Sequence, residues 1–595
     1  MIRDDHRPSA RTSPLVWDEA DSPRSGVYDD VYFSRDDGLA ESRAVFIDGC
    51  RLPRAWAGRT HFTVAELGFG TGLNIVALLD LWRHTRHPEA RLSVFSVEAH
   101  PITAADAARA LARWPEVADV SKDITTHWPG RARGVHRIDL PHLGAIIDVA
   151  IMDALEGLRI WSGAADAWFL DGFAPARNPD MWSLELLQAV AARSASGAHA
   201  ASFTVAGQVR RDLATAGFTV ERVPGFGRKR HRLEARAPGD PPADRARPRV
   251  AIVGAGIAGA SLARAFKALN VSARVFDGVG PGAGASGGPA ALVAPRLDAG
   301  LADNAALFAQ AFRRATALYD ATDGAVLALG AEQRRVGPKD AGRFSAIAGS
   351  DLFEPDAMRL TPDGLRIETA AIVEPGMVLS AWIVDIRQTH IAALAWSDGI
   401  WRLLDQHGAA IDTAEVVCLA AGMDCARLAA GVALHPVRGQ ASVADGAAQS
   451  QAVLFGGYLI PTRSGVVFGA THDRDDTDVR PRAADHARNL EAVAAACPEL
   501  AADLASRPLS AWTGIRATTR DYLPLAGAVP GAEPGLYVLS GLGSRGFTLA
   551  PLLSEHVAAS AMSLPSPLAR NLADLVDPAR FERRARRRRP PGTAS

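Results

Sequence analysis

The strongest constraint on this chain is Arg249-Val250-Ala251-Ile252-Val253-Gly254-Ala255-Gly256-Ile257-Ala258-Gly259-Ala260, an apolar run that meets Gly-x-Gly-x-x-Gly and continues into a helical stretch, Ser261–Leu269. The first glycine permits a tight turn, the second lets backbone approach a pyrophosphate, and the third lets helix pack on strand. The helix N-terminus presents its positive end to the same anion. Val271–Asp277 reads as the next strand and ends on an acid about twenty residues on, where a ribose hydroxyl would be held. A dinucleotide fold that starts here leaves roughly the first 240 residues to a different domain.

Length agrees, because 595 residues exceed what one hydrophobic core usually supports. A formal net charge of −1 argues against a chain wrapped wholesale in nucleic acid and leaves local patches open. Only 4 residues are lysine, so arginine is the default base and its abundance carries little information. Cys50, Cys418, Cys425 and Cys497 are scattered, without Cys-x-x-Cys or a histidine cluster, which fits a reducing compartment and no metal. Met1 to Pro14 is polar, unlike a signal peptide. No apolar run reaches the roughly eighteen residues of a membrane span. A cytoplasmic protein is expected.

In the first half, Asp29-Asp30-Val31-Tyr32-Phe33 and Glu41 to Phe46 read as a cap of short helices packed on the next domain, with direct catalysis as the alternative. A strand, Phe62 to Leu67, then meets a loop holding Gly68, Gly70 and Gly72, followed by a helix, Ile75–Trp82. The spacing Glu-x-Gly-x-Gly-x-Gly differs from the dinucleotide fingerprint. S-adenosylmethionine carries a sulfonium and an amino acid end and no pyrophosphate, so its loop needs close backbone approach and a carboxylate for the cationic end. Glu66 is placed in that role. The strand Leu92–Glu98 ends on an acid suited to the ribose hydroxyls, and Ala145–Met152 ends at Asp153, a further candidate around the donor.

A fourth strand, Ala167–Leu170, ends at Asp171, with Phe173, Pro175 and Trp182 available to enclose a flat base. Methylating an amine requires its free base, and a carboxylate beside it can orient the amine and take its proton. Asp171 is the candidate, with a helix cap or turn as the alternative. Gly225-Phe226-Gly227-Arg228-Lys229-Arg230-His231-Arg232 could bind phosphate or form a solvated turn. Residues 1–236 are assigned to this domain, the Pro-rich stretch 237–248 to a linker, 249–578 to the second domain and 579–595 to a basic, disordered tail, with added nonspecific RNA affinity as the alternative.

In the second half, Gly280 to Gly288, which includes Ser286, is too glycine-rich to be an element and could form a nest of amides around phosphate; a flexible loop is the rival. Val416 to Gly422 reads as another buried strand meeting cofactor. Leu536 to Phe547 gives a final strand and a loop holding Gly541, Gly543 and Gly546, then an apolar helix through Ala558. Strands that return after a long insertion suggest a two-part flavoprotein, with the inserted sheet facing the ring. Oxidation of an amine by flavin requires the substrate to be pinned over that ring, and a carboxylate is pinned best by arginine. Arg516 and Arg545 are the candidates, with Arg438 near the ring; each could equally be a structural ion pair.

Taken in order, Asp29 to Phe33, Glu66 to Asn74, Asp166 to Trp182, Gly225 to Arg230 and Gly254 to Gly259 resemble the bifunctional tRNA 5-methylaminomethyl-2-thiouridine biosynthesis proteins of the MnmC type, over nearly the whole chain. The resemblance implies an α/β chain with an N-terminal class I, Rossmann-like methyltransferase and a C-terminal two-part FAD-binding oxidoreductase similar to glycine and D-amino acid oxidases. It implies FAD, S-adenosyl-L-methionine and the wobble uridine of tRNA as ligands, in a monomer that uses neither metal nor membrane. The FAD-dependent half would remove the carboxymethyl group from 5-carboxymethylaminomethyl uridine, and the other half would methylate the amine left behind. Asp171 would stand beside that amine, with Gly68, Gly70, Gly72 and Glu98 around the donor. Trp512-Thr513-Gly514-Ile515-Arg516 and the loop at Arg545 match the oxidases' carboxylate grip. Asp277 and Gly288 depart from those oxidases, which often have glutamate and an amide there.

Two other readings keep the same folds. One is a small-molecule amine oxidase fused to a small-molecule methyltransferase. The other is an RNA-binding protein whose pockets are structural, against which stand Glu66, Asp171, Arg516 and Arg545.

Overall fold

The strand β1 (His61–Leu67) is buried along nearly its whole length, as a central parallel strand covered on both faces must be. Its alternation sends Phe62 and Val64 into one apolar cluster and Ala65 and Leu67 into another on the opposite face. The structure is a computed structural model and describes residues 14–588 except 35, 228, 245 and 450. The chain divides into two compact units, Met1–Ala246 and Arg247–Ser595.

In the first unit β1 is joined by β2 (Arg91–Glu98), β3 (Gly134–Leu140), β4 (Ala145–Ile151), β5 (Ala165–Leu170), β6 (Ser194–Ser202), β7 (Thr219–Pro224) and β8 (His231–Arg236). They form one sheet in the order β3-β4-β2-β1-β5-β6-β8-β7. The strands β4, β2, β1, β5 and β6 run parallel, while β3 and β8 are antiparallel to their neighbours. The chain crosses from one side of β1 to the other between β4 and β5, so the carboxyl ends of β1, β2 and β5 open a crevice at the switch point. The helix Leu73–Thr85 follows β1, starts at Gly72 and buries Ile75, Val76, Leu78, Leu79 and Trp82.

Residues 15–33 are a short hairpin, Leu15–Trp17 with Pro23–Ser25, and turns rather than helices. The stretch read as a linker is partly an extension of the sheet. Ala237 N–H donates to the Ala198 carbonyl and Gly197 N–H to that of Pro238, and Asp244 accepts from both Thr60 N–H and its hydroxyl.

In the second unit, a six-stranded sheet runs in the order Ile386–Gln388, Ala273–Asp277, Val250–Val253, Val416–Leu419, Leu536–Ser540 and Leu525–Ala528. The first five strands are parallel and the last is antiparallel. Segments between these strands build a separate ten-stranded sheet, in which His435–Asp445 pairs with Ser510–Thr518 through nine successive residues. This is the inserted sheet that the sequence implied.

The basic tail differs from expectation. Arg580–Arg588 is a helix, and Arg580 is 2% exposed, with its guanidinium on both oxygens of Asp521 and on the carbonyls of Leu523 and Pro524. Burial of one arginine against a carboxylate turns a run of like charge into a packed element. Residues 589–595 of that expected tail lie outside the described residues.

Candidate active sites

In the first unit a cavity of about 740 Å³ opens at the carboxyl ends of the strands, with Gly68, Gly70, Glu98, Asp153 and Asp171 together in its wall. Glu98 ends β2 and accepts Gly70 N–H at 2.8 Å and His100 N–H at 2.7 Å, which ties the glycine loop to the strand end. Asp153 caps the next helix by accepting from Leu155 and Glu156 N–H. Asp171 stands one residue past β5, which pairs Leu170 with Leu67. Its Oδ1 accepts Gly172 N–H at 2.8 Å and its Oδ2 accepts Asn74 Nδ2 at 2.7 Å. Burial nevertheless lifts its carboxyl to about 6, against those hydrogen bonds.

Glu66 requires a correction. It was expected at the cationic end of the donor, but it is fully buried behind the cavity wall. Its oxygens accept from Ser96 Oγ at 2.8 Å and Asn74 Nδ2 at 3.1 Å, and burial pushes its carboxyl well above the usual range. Asn74 accepts from Ser42 Oγ at 2.8 Å, so both ends of its amide are engaged and the Nδ2 group is aimed at Glu66 and Asp171 together. Gly72 also stands behind the wall, where it caps the helix Leu73–Thr85 and packs on Trp128. Trp182, expected to enclose the base, is buried in the core and donates to the Phe173 carbonyl at 2.9 Å.

The N-terminal segment brings Asp30 and Tyr32 of the stretch read as a cap, and Tyr28, which sequence reasoning missed, to the cavity. Tyr28 and Tyr32 pack on Phe173 with ring centroids at 5.0 and 5.3 Å, and Asp30 accepts Ala174 N–H at 3.0 Å. The cap therefore forms a wall of the cavity. From the loop read as phosphate-binding or solvated, Lys229 reaches the cavity, pairs with Glu41 at 2.8 Å and lies 4.3 Å from the centre of the Phe203 ring. Arg232 pairs instead with Glu234, and Arg228 lies outside the described residues.

In the second unit, a cavity of about 1430 Å³ lies between the two sheets. Gly254, Gly256, Asp277, Ser286, Gly541, Gly543 and Gly546 line it from the nucleotide side, with Arg516 and Arg545 also in its wall. Gly254 has φ +114°, and a Cβ there would stand 2.5 Å from the Ala420 carbonyl oxygen. Gly259 is outside the cavity and does the packing expected of the third glycine, since its Cβ would fall 1.9 Å from the Gly254 oxygen. Asp277 gathers the loops, accepting from the N–H groups of Ala255, Val279 and Gly280, each at 2.9 Å. Ser286 Oγ accepts Ile257 N–H at 3.0 Å at the start of the nucleotide helix.

Arg516 sits on Ser510–Thr518 and donates to the Thr471 carbonyl at 3.1 Å. Arg545 donates to the carbonyls of Ala294 and Pro295 at 3.3 and 3.4 Å. Neither has an acidic ion-pair partner among the described residues. Burial lowers both, Arg545 to about 10 with help from Arg296 nearby. Arg438, expected near the ring, is a structural ion pair instead: it is fully buried and bonds Asp485 at 2.6 Å.

Comparison with known proteins follows the same division. Residues 115–238 match the model of an S-adenosyl-L-methionine-dependent methyltransferase family, a match that starts beyond the glycine loop. Residues 249–560 match that of an FAD dependent oxidoreductase family. The tRNA 5-methylaminomethyl-2-thiouridine biosynthesis bifunctional protein MnmC of Caulobacter sp. (strain K31) is 54% identical, over 96% of this chain and 98% of the relative. This chain belongs to that MnmC family. The MnmC protein of Maricaulis maris (strain MCS10) is 41% identical over 96% of this chain and 97% of its own. A crystal structure of glycine oxidase from Geobacillus kaustophilus is 21% identical, covering 54% of this chain and 96% of that chain, with a TM-score of 0.45.

As an MnmC-family protein the chain joins an S-adenosylmethionine-dependent methyltransferase to an FAD-dependent oxidoreductase. The residues present fit both groups. The glycine turns at Gly254 and Gly256 leave room where side chains would collide with Ala420 and Ser286, beside a helix N-terminus suited to pyrophosphate. Gly68 and Gly70, with Glu98 behind them, form the smaller cradle. Among the described residues there is no cluster of three or more metal-binding side chains and no helix long and apolar enough to cross a membrane.

Proposed function

We propose that this chain acts twice on the wobble uridine of tRNA in the cytoplasm, first removing the carboxymethyl group from 5-carboxymethylaminomethyl(-2-thio)uridine and then methylating the exposed amine. The tRNA substrate is suggested by the names of its relatives. The observation that carries the chemistry is the pair of half-buried guanidiniums, Arg516 and Arg545, which have no acidic partner among the described residues and line the cavity that holds the dinucleotide fingerprint. When bound, FAD supplies a hydride acceptor and S-adenosylmethionine a methyl group.

In the second unit, Arg516 and Arg545 take the glycine-like carboxylate of the modified base and hold the carbon beside the amine nitrogen in place. That carbon loses hydride, water adds to the resulting imine, and glyoxylate leaves the aminomethyl group behind. In the first unit, Asp171 accepts a proton from the ammonium so that the nitrogen lone pair is free. Gly172 and Asn74 fix its two oxygens, and the rings of Tyr28, Tyr32 and Phe173 exclude water from that side.

The test is nucleoside mass analysis of tRNA bearing the carboxymethylaminomethyl group, incubated with protein and FAD, with and without S-adenosylmethionine. Methylaminomethyl uridine is expected with the donor and aminomethyl uridine without it. An unchanged nucleoside, from protein shown to hold flavin, would refute the reading and favour small amines as substrates.

A further inference from the structure

Five arginines reach the wall of the second cavity, and they divide by partner. Arg343 pairs with Asp340 at 3.0 Å and Arg427 with Asp424 at 3.5 Å. Arg296, Arg516 and Arg545 have no acidic side chain within ion-pair distance among the described residues. A single carboxylate is satisfied by one or two guanidinium forks. With Arg516 and Arg545 on the carboxylate, Arg296 is left without a part in holding it.

Arg296 is the odd one of the three by position. Arg516 and Arg545 are half-buried, whereas Arg296 is exposed, with its guanidinium 5.7 Å from the centre of the buried Phe308 ring. Arg545 donates to the carbonyls of Ala294 and Pro295, so a residue placed on the carboxylate also fixes the segment leading directly to Arg296. The Asp277 carboxylate in the same wall is engaged by three backbone N–H groups and, among the described residues, by no guanidinium. Unneutralised charge at a cavity rim attracts an anion, and a guanidinium fork matches two phosphate oxygens.

We propose that Arg296 binds the phosphodiester of the nucleotide whose base enters this cavity, while Arg516 and Arg545 take the carboxylate. This rests on the functional reading above. It makes the cavity a site for a nucleotide within a strand, with one contact for the backbone and two for the modification.

The experiment compares holoenzyme with Arg296→Ala and Arg296→Lys on two substrates: tRNA bearing the carboxymethylaminomethyl group and the free nucleoside, which has no phosphate. Arg296→Ala is expected to lose about tenfold in kcat/KM on tRNA, the scale of one charge-assisted bond, and far less on the nucleoside. The slope of log kcat/KM against log salt on tRNA should shrink by about 0.7, the value for one phosphate contact on a single strand. Arg296→Lys should keep most of that slope. Equal losses on both substrates would overturn the proposal and place Arg296 on the base or carboxylate, and loss of bound flavin would overturn it by placing Arg296 on the cofactor. If the unsubstituted enzyme turned over the nucleoside but not tRNA, the functional reading would fail and this inference with it.

Discussion

Asp171 combines two properties that usually oppose each other: both oxygens are held by hydrogen bonds, yet its carboxyl rises to about 6 because burial outweighs them. If it takes the amine proton, methyl transfer falls as pH drops through about 6, and Asp171→Asn slows it by about a hundredfold or more. Oxidation should continue in that variant, so aminomethyl nucleoside accumulates. The same shift has a stability cost. Between the ordinary carboxyl value of 3.8 and about 6, the folded protein binds more protons than the unfolded chain, so stability declines as pH rises through that window. Asp171→Asn should therefore melt higher than the parent at about pH 7.5, with the gain gone below about pH 4, as calorimetry at both pH values would register. Unimpaired methylation in the variant would remove Asp171 from the chemistry.

The helix Arg580–Arg588 has one buried anchor, Arg580, beside the more exposed pairs Arg583–Asp577 and Arg584–Asp521. Arg580→Ala leaves Asp521 without its buried partner and should destabilise by about 3 kcal/mol, whereas Arg586, an exposed i,i+4 partner of Glu582, should contribute little; urea unfolding of the two variants separates them. This helix was illegible in sequence because Asp521, the acid that neutralises it, lies 59 residues away. The strands and glycine turns were legible for the opposite reason: β1, β2 and β5 and the Gly254 turn are written in local apolar runs and fixed spacings. The strand-end acids Glu98, Asp153 and Asp171 came with them. Glu66 was misplaced because spacing reports that a carboxylate precedes a glycine and not which face of the strand it takes, and the face it takes is packed under Asn74. Trp182 failed similarly, since an aromatic next to a loop can turn inward as readily as outward. Tyr28 and Arg296 carry no local pattern, and Tyr32 and Asn74, though inside stretches that carry the resemblance, have no role that spacing alone assigns. Their importance comes from meeting residues as distant as Phe173, Asp171 and Arg545.

At the scale of the molecule, each unit has its own sheets, its own apolar clusters and its own cavity. Residues 1–246 and 247–595, produced separately, should each fold cooperatively, with yellow flavin retained by the second alone and methyl transfer to aminomethyl tRNA by the first. A second fragment that comes out colourless and unfolded would show that the division does not mark a folding boundary. The four cysteines fall on both sides of this division, Cys50 in the first unit and Cys418, Cys425 and Cys497 in the second, and all are buried. Burial also raises each thiol, Cys425 to about 12, far from the reactive thiolate. A thiol-reactive dye thus has nothing to label on the folded chain, and the first peptide it marks reports which half has let go first, a stopwatch built into the protein.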